Sequence, residues 1–294
     1  MPVNCVDTSL LNIPQKEFEL FRTLIHKHTG IWLREGKQVM LASRLAKRVR
    51  AHKLGDFAEY YRFVDGRQDN GVELGELINC VTTNKTAFFR ERHHFDFLLK
   101  KVPEVVGRAA TRGTRRSVSV WSAACSTGEE PYSIAMTLLE ARRTLRGSSP
   151  DGWEMNIAAS DVDTGVLAKA MRGVYPIESM SDIDADYRKR YLLRGSGPMS
   201  GQFKIKKEVA QNVQFQRVNL MDAKWPIGTT FDFIFFRNAL IYFQHDVQDR
   251  FLRRMIKMLN PGGYLFLGHS ENIPWLHDLV EPLQHTIYRV RGAH

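Results

Sequence analysis

The stretch WSAACSTGEEPYSIAM, residues 121–136, points to the fold because it joins the end of a strand to the start of a helix through small residues. In an open α/β sheet, the ligand lies beyond the carboxyl ends of the strands, against the first strand-to-helix turn. Ser126 and Glu129 have the spacing of a capping box, and Pro131 suits a first helical turn. We therefore expect a helix that begins near Thr127 and a ligand site at this turn.

Beyond this turn, short β-rich runs alternate with amphipathic helices from Ser117 onward. The runs predicted as strands are SVSVW, MNIAAS, VQFQRV, FDFIFF, GYLFLG and TIYRV. This alternation implies an α/β fold with a doubly wound, Rossmann-like sheet. From Lys16 to about Cys80 the pattern is helical instead, and FELFRTLIHKHTG and KQVMLASRLAKRVRAHKLG each run up to a glycine. We expect an N-terminal helical domain over 1–80 and the sheet domain over 81–294.

A small insert interrupts the sheet pattern at about 186–217. Its centre has alternating strand character around the turn RGSGPMSG, which predicts a small antiparallel β-subdomain. An exposed edge strand there would accept an extended peptide. The plainer interpretation is a lid over the ligand site.

Composition limits the class of protein. The chain has 294 residues, of which 43% are hydrophobic, so it can bury a full core. The N-terminal residues show no basic segment followed by an apolar one, and no run approaches the roughly 18 apolar residues of a membrane span. We expect a cytoplasmic protein without membrane insertion. Cys5, Cys80 and Cys125 lie far apart without C-x-x-C spacing, which predicts neither a disulfide framework nor a metal site.

The net charge of +10 favours an acidic partner, which could be nucleic acid, an anionic membrane or an acidic protein surface. Charge alone does not choose among these partners.

The residues of the turn indicate the kind of ligand. The phosphate-binding patterns G-x-x-x-x-G-K-[ST] and G-x-G-x-x-G are absent, and Glu129 and Glu130 would repel a pyrophosphate. They suit a cationic, phosphate-free ligand with hydroxyls, and S-adenosylmethionine is the common cofactor of that description. The plainer interpretation is that both acids complement the helix dipole. Asp161 and Asp163 follow the second strand, where a carboxylate accepts ribose hydroxyls, although this run could equally cap a helix.

Five stretches carry a family resemblance. They are TTNKTAFFRERHHF (82–95), WSAACSTGEEPYSIAM, ASDVDTGVLAKA (159–170), FFRNALIYF (235–243) and LNPGGYLFLGHSEN (259–272). Together they resemble the CheR-type chemotaxis receptor methyltransferases, in order, from about Phe18 to Arg291. Members of that family transfer methyl from S-adenosylmethionine to glutamates of chemoreceptor cytoplasmic helices. Cys125 departs from the alanine expected in close relatives.

The resemblance also implies roles for individual residues. Arg90 and Tyr242 would be catalytic, with Tyr242 beside the transferring methyl. The residues implied to contact the cofactor or to order its site are Asn84, Thr86, Arg90, Glu129, Asp161, Asn219, Leu220, Phe236, Arg237 and Asn238. Without the family, Arg90 with Glu91 would be an ordinary surface ion pair, and Asn238 with Tyr242 would close a turn.

The chemistry agrees with this assignment. A glutamate, with an ordinary pKa of about 4.3, is ionised at neutral pH, so methyl transfer to it requires no general base. The site then needs groups that align and desolvate the reactants, such as Arg90, which can hold the carboxylate of either the cofactor or the substrate. GHSEN (268–272) lacks the final glycine of a nucleophile elbow, and His93 with His94 lacks zinc spacing, so we expect both to be structural.

Two surfaces are candidates for partner binding. In residues 37–53, apolar side chains line one face while basic side chains crowd the rest. Such a face is often only solvated, but by resemblance it docks on chemoreceptor helices through Arg44, Lys47, Arg48 and Lys53. By resemblance too, the insert has the loop length of members that bind a C-terminal receptor pentapeptide, which would tether the enzyme.

Two other functions stay open. A nucleic-acid methyltransferase agrees with the charge but lacks N-P-P-Y or D-P-P-Y, of which Asn238 to Tyr242 is only a loose echo. We expect no nucleic-acid partner. A non-catalytic adaptor would bind cofactor and receptor without transfer.

Overall fold

The computed structural model describes residues 10, 12–66, 69, 71–111, 116–145, 153–228 and 230–291. Cys5 lies outside these ranges, as does the longer loop before Met155 that distinguishes this sequence from shorter family members. None of the helices in the described part of the chain combines the length and the hydrophobicity that a membrane span requires.

Four helices near the N-terminus pack around their own apolar core, as the helical pattern predicts. They are α1 (Gln15–Thr29), α2 (Gln38–Ala51), α3 (Phe57–Asp65) and α4 (Val72–Val81). Gly30 ends α1 in the left-handed conformation, with φ 75°. Gly55 does not end α2: the helix stops at Ala51, and Lys53 takes the left-handed position, with φ 56°. The Leu54 N–H then donates to the Val49 carbonyl at 3.0 Å, so a lysine occupies the position where glycine is usual.

The main sheet has the strand order β6-β2-β1-β7-β8-β10-β9. Its strands are β1 (Ser117–Ala123), β2 (Glu154–Asp161), β6 (Val213–Arg217), β7 (Phe231–Phe235), β8 (Leu259–Phe266), β9 (Val280–Pro282) and β10 (Ile287–Val290). The pairs from β6 to β8 are parallel, whereas β10 is antiparallel to both of its neighbours. The predicted doubly wound sheet is confirmed. β9 escaped prediction because it is only three residues long and ends in proline.

Six further helices accompany the strands in the described part of the sheet domain. They are α5 (His93–Thr111), α6 (Glu129–Leu145), α7 (Thr164–Arg172), α8 (Ala185–Tyr191), α9 (Lys207–Ala210) and α10 (His245–Lys257). Large aromatic side chains fill the interior, and Phe235 stacks on Phe266 with ring centroids 4.1 Å apart. The chain passes from β1 to β2 on one side and to β7 on the other, so the order reverses at β1. Open α/β sheets bind ligands at that point.

The separate antiparallel sheet is present, with the order β3-β5-β4. Its strands are β3 (Val174–Pro176), β4 (Leu192–Arg194) and β5 (Gln202–Ile205). It therefore begins before the predicted residue 186, because Gly173, with φ 58°, turns the chain directly from α7 into β3. It also ends before 217, because β6 pairs with β2 in the main sheet.

Candidate functional site

A cavity of about 660 Å³ lies at the carboxyl ends of β1, β2 and β7. This volume is within the usual range for small-molecule sites. The sheet domain supplies one side through the loops that follow these strands and through residues 81–90. The helical region supplies the other side through residues between α1 and α2 and the first turns of α2. The site is thus formed by both parts of the chain.

The turn after β1 is tightly wound. Ala124 and Ser126 have φ of 59° and 51°, and Gly128 has 96°. Strained backbone of this kind clusters at functional sites. Because of these left-handed residues, α6 begins at Glu129 rather than near Thr127. The predicted capping box does not form, since the Ser126 hydroxyl donates to the Asn84 carbonyl at 3.0 Å.

Of the two glutamates in this turn, Glu130 is the one on the cavity wall. Its carboxylate accepts hydrogen bonds from Ser122 Oγ at 2.7 Å and from Arg237 Nη1 at 3.0 Å. Burial raises the pKa of Glu130, and the Arg237 charge opposes that rise. The Glu129 carboxylate accepts from Thr127 Oγ1 at 2.6 Å instead. Its assignment to the cofactor therefore stays a prediction.

Asp161 and Asp163 have different tasks. The Asp161 carboxylate lines the cavity and accepts hydrogen bonds from the backbone N–H groups of Ser126 at 2.9 Å and Asp163 at 3.0 Å. Burial raises the pKa of Asp161, and these backbone hydrogen bonds oppose that rise. Asp163 caps α7 through the Gly165 and Val166 amides at 2.8 and 3.1 Å. The helix-cap interpretation is therefore realised by Asp163, and the binding of ribose hydroxyls by Asp161 stays a prediction.

Arg237 organises the side of the cavity nearest to Arg90. Its side chain is 2% exposed and lies between two carboxylates, 3.0 Å from Glu130 and 3.1 Å from Glu91. It also donates to the Arg90 carbonyl. Burial alone would raise the pKa of Glu91, but the Arg237 charge and hydrogen bonds that include one from Asn238 lower it to about 2. Arg237 thus fixes the segment that carries Arg90.

Two further cofactor candidates, Asn84 and Asn219, are also held by internal hydrogen bonds. Asn84 Nδ2 donates to Asp163 Oδ2 at 2.9 Å. Asn219 Nδ2 donates to the His28 carbonyl at 2.6 Å, which ties the loop after β6 to α1. Those that the structure brings together at the cavity wall are Asn84, Thr86, Arg90, Asp161, Asn219, Leu220, Phe236, Arg237, Asn238 and Tyr242.

Cationic side chains concentrate at the open end of the cavity. Arg34, Lys37 and Lys85 are exposed, and Arg90 is half-buried and donates to the Lys85 carbonyl at 3.1 Å. The Glu130 side chain is 12% exposed and Asp161 is 7% exposed, so both carboxylates are largely shielded from solvent, and the Arg237 guanidinium lies beside Glu130. The cavity therefore has shielded carboxylates in its wall and exposed cations at its mouth.

The four docking candidates, three on α2 and Lys53 just after it, differ in their surroundings. Arg44 donates to the Val81 and Thr82 carbonyls, each at 2.7 Å. Arg48 donates to the buried Glu73 carboxylate at 2.8 Å. Lys47 and Lys53 are exposed.

Sequence reasoning missed part of the cavity wall. Trp32, Lys37 and Met40 line it from the helical region, and no local pattern marks them. Glu130 already contributes to the predicted preference for a cationic ligand, although, of the two glutamates in the turn, only Glu129 is among the cofactor residues that the resemblance implies.

One group of described residues has the geometry of a possible metal site. The ligating atoms of Glu91, His93 and His94 lie within 4.8 Å of one another. The Arg237 guanidinium already neutralises Glu91, which disfavours a cation there. The expectation of no metal stays a prediction.

The doubly wound sheet, with a cavity at its carboxyl edge that Glu130 and Asp161 line, is typical of S-adenosylmethionine-dependent methyltransferases, and this chain is one of them. Residues 84–289 match the family described as "CheR methyltransferase, SAM binding domain", and residues 16–82 match "CheR methyltransferase, all-alpha domain". The chain belongs to the CheR methyltransferase family, which confirms the resemblance.

Curated relatives match over most of their length. The chain is 43% identical over 274 residues to "Chemotaxis protein methyltransferase 2" of Pseudomonas aeruginosa, which covers 93% of this chain and 92% of the relative. It is 40% identical over 283 residues to "Chemotaxis protein methyltransferase" of Escherichia coli, covering 96% and 93%. The protein of that name from Salmonella typhimurium is 40% identical over 265 residues, covering 90% and 86%.

Proposed function

We propose that this protein transfers methyl from S-adenosylmethionine to glutamate side chains on the cytoplasmic helices of chemoreceptors, and so forms methyl esters in chemotactic adaptation. The observation that carries the proposal is the distribution of charge in the cavity. The Glu130 side chain, which is 12% exposed, and the buried Asp161 suit a ligand with a sulfonium, an ammonium and ribose hydroxyls. Exposed Arg34, Lys37 and Lys85 attract an anionic side chain to the mouth.

S-adenosylmethionine, when bound, supplies an activated methyl, which passes to a carboxylate oxygen as the carbon–sulfur bond breaks and its electron pair returns to sulfur. The chain needs no base for this step, because the accepting carboxylate is already ionised. In this proposal, Arg90 orients a carboxylate, and Tyr242 and Phe236 hold the reacting atoms in line and exclude water.

We propose that α2 docks on the receptor helices. Lys47 and Lys53 are exposed and can meet acidic side chains directly. Arg44 and Arg48 are already bonded within the protein. If they also dock on the receptor, they must keep these internal partners and contact it through the N–H groups that remain free. Long-range attraction of this kind accelerates encounter more than it tightens a complex.

The test is incubation with methyl-labelled S-adenosylmethionine and a receptor cytoplasmic fragment. Label that base releases as methanol, and that is lost when the fragment's acceptor glutamates are changed to alanine, supports glutamate methyl esters. Base-stable label in added nucleic acid would support a nucleic-acid methyltransferase instead. Binding of S-adenosylhomocysteine without any transfer would support an adaptor.

We also propose that the small sheet binds a receptor C-terminal pentapeptide. Its order leaves β3 and β4 at the edges, and Leu193 on β4 is 53% exposed. A peptide added to an edge gains backbone hydrogen bonds. Titration with the pentapeptide should show binding that Leu193→Asp weakens. Met171→Asp is the matched control, because Met171 is 60% exposed on α7, outside the sheet.

A further inference from the structure

We infer that Glu271 is a positioning residue for methyl transfer. Its carboxylate holds the loop that carries Asn238 and Tyr242 against the loop after β8. This inference rests on the proposed function for its kinetic consequence, but the junction itself is visible in the structure. Glu271 belongs to the GHSEN stretch, for which the sequence predicts only a structural role.

The Glu271 carboxylate is 4% exposed and joins two adjacent loops. Its Oε2 accepts from the Asn238 N–H at 2.9 Å and from the Gly268 N–H at 2.7 Å, and its Oε1 accepts from the Leu240 N–H at 2.9 Å. A buried backbone N–H without a partner is costly, so this single side chain satisfies three such groups. Burial raises the pKa of Glu271, and the backbone bonds oppose that rise.

The loop that Glu271 holds contains a left-handed residue, Asn238, with φ 58°, a conformation that is uncommon outside glycine and that asparagine adopts more readily than most residues. Leu240–Tyr242 form a single 3₁₀ turn directly after it. Asn238 and Tyr242 both line the cavity. The carboxylate therefore fixes the start of the segment whose end carries the proposed catalytic tyrosine.

Gly268 shows how closely the two loops approach. A Cβ at this position would lie 2.3 Å from Asn238 Nδ2 and 2.8 Å from its backbone nitrogen. The junction requires glycine on one side and a long carboxylate on the other. This closeness provides a second, independent way to disturb it.

Glu271→Gln tests the role with little change in shape. The amide places an NH₂ where one oxygen accepts, so at least one of the three N–H groups loses its acceptor. We expect kcat to fall between about tenfold and a hundredfold, since small displacements of aligned groups have that effect. KM for the receptor fragment should change less than kcat, because the other cavity walls come from the loops after β1, β2 and β6, from residues 81–90 and from the helical region.

Amide exchange measured by mass spectrometry supplies a readout that does not depend on activity. Segment 236–243 should exchange faster in Glu271→Gln, while α6 keeps its original rate. Glu281→Gln is the matched control, because Glu281, on β9, forms an exposed ion pair with Arg289 on the neighbouring strand β10. Gly268→Ala should reproduce both effects with Glu271 intact.

Unchanged kcat and exchange in Glu271→Gln, relative to Glu281→Gln, would overturn the inference. So would loss of S-adenosylhomocysteine binding in proportion to the unfolded fraction in both Glu271→Gln and Gly268→Ala, since Glu271 would then only support the fold. Failure of the unmodified protein to methylate any receptor fragment would contradict the proposed function instead, and the exchange data would still test the junction.

Discussion

The backbone N–H of Trp32 donates to the carbonyl oxygen of Tyr242 at 2.9 Å. Trp32 lies between α1 and α2, whereas Tyr242 lies in the loop after β7, so this bond joins the helical region to the sheet domain at the cavity. Ile31 and Phe243 extend the contact as an antiparallel bridge. The helical region is thus part of the site wall, and changes within it should reach the chemistry.

Gly30 lies next to this contact and provides the first test. Its φ is 75°, and a Cβ would lie 3.0 Å from Met221 Sδ and 3.1 Å from Val247 Cγ1. We expect Gly30→Ala to lower the free energy of unfolding by about 1–3 kcal/mol and to slow transfer, because the Trp32 segment must move. Denaturant unfolding and initial rates measure the two effects.

Gly36→Ala is the matched control for this change. Gly36 has a similar φ of 83°, but nothing lies within 4 Å of its added Cβ. Gly36→Ala should therefore lower the free energy of unfolding only through the strain of a left-handed alanine, and it should leave the transfer rate unchanged. Equal losses of activity in the two variants would show that the packing of Gly30 against Met221 and Val247 has no influence on the site.

Arg90 provides the second test. We expect Arg90→Ala to lower kcat/KM by about a hundredfold or more while the protein stays folded, because the side chain orients a carboxylate in the reaction. Circular dichroism and initial rates are the measurements. Arg92→Ala is the control in the same segment, since Arg92 pairs with Asp184 at an exposed site. Full activity of Arg90→Ala would refute its assigned role.

Arg48 and Lys47 are neighbours on α2 that should respond differently. The Glu73 carboxylate that Arg48 pairs with is 2% exposed and also accepts from Tyr60 at 2.7 Å. Arg48→Ala removes the guanidinium partner of the buried Glu73 carboxylate and leaves it with His52 and Tyr60, so the change should lower the free energy of unfolding by about 3 kcal/mol. Lys47→Ala should leave the free energy of unfolding unchanged. It should instead slow association with receptor fragments, and this effect should be larger at low salt. A stable Arg48→Ala variant would contradict the structural role.

Glu91 should make stability depend on pH with a defined sign. Its pKa is lowered from 4.5 to about 2, so the ionised form is favoured in the folded state. That stabilisation is complete above about pH 4.5 and is lost as the pH falls toward 2, and a pKa lowered by this amount corresponds to roughly 3 kcal/mol.

Comparison with Glu91→Gln isolates this contribution, because the other titrating groups are common to both proteins. The difference in free energy of unfolding between the two should be largest near neutral pH and should shrink as the pH is lowered through 4. Denaturant titrations at a series of pH values measure it. A difference that does not vary with pH would mean that the pKa of Glu91 is the same in the folded and the unfolded protein.

Local patterns predicted the long helices and strands, because the spacing of hydrophobic residues along each of them has the period of that structure. The turn at residues 121–136 indicated where the ligand site lies, since a parallel sheet has one carboxyl edge. The same patterns misplaced short features: α6 starts at Glu129, and β3 begins at Val174, because left-handed residues at Ser126, Gly128 and Gly173 set those boundaries.

The sequence by itself determined the class of fold, the type of ligand and the family, since these follow from local patterns and motifs read in order along the chain. Only the tertiary structure decided which members of each motif reach the cavity. Glu130 rather than Glu129 faces it, Asp163 caps a helix beside Asp161, and Arg48 meets a buried carboxylate from another helix. The physical reason is that burial and pairing depend on groups distant in the chain, such as Trp32 and Tyr242, which no local pattern brings together.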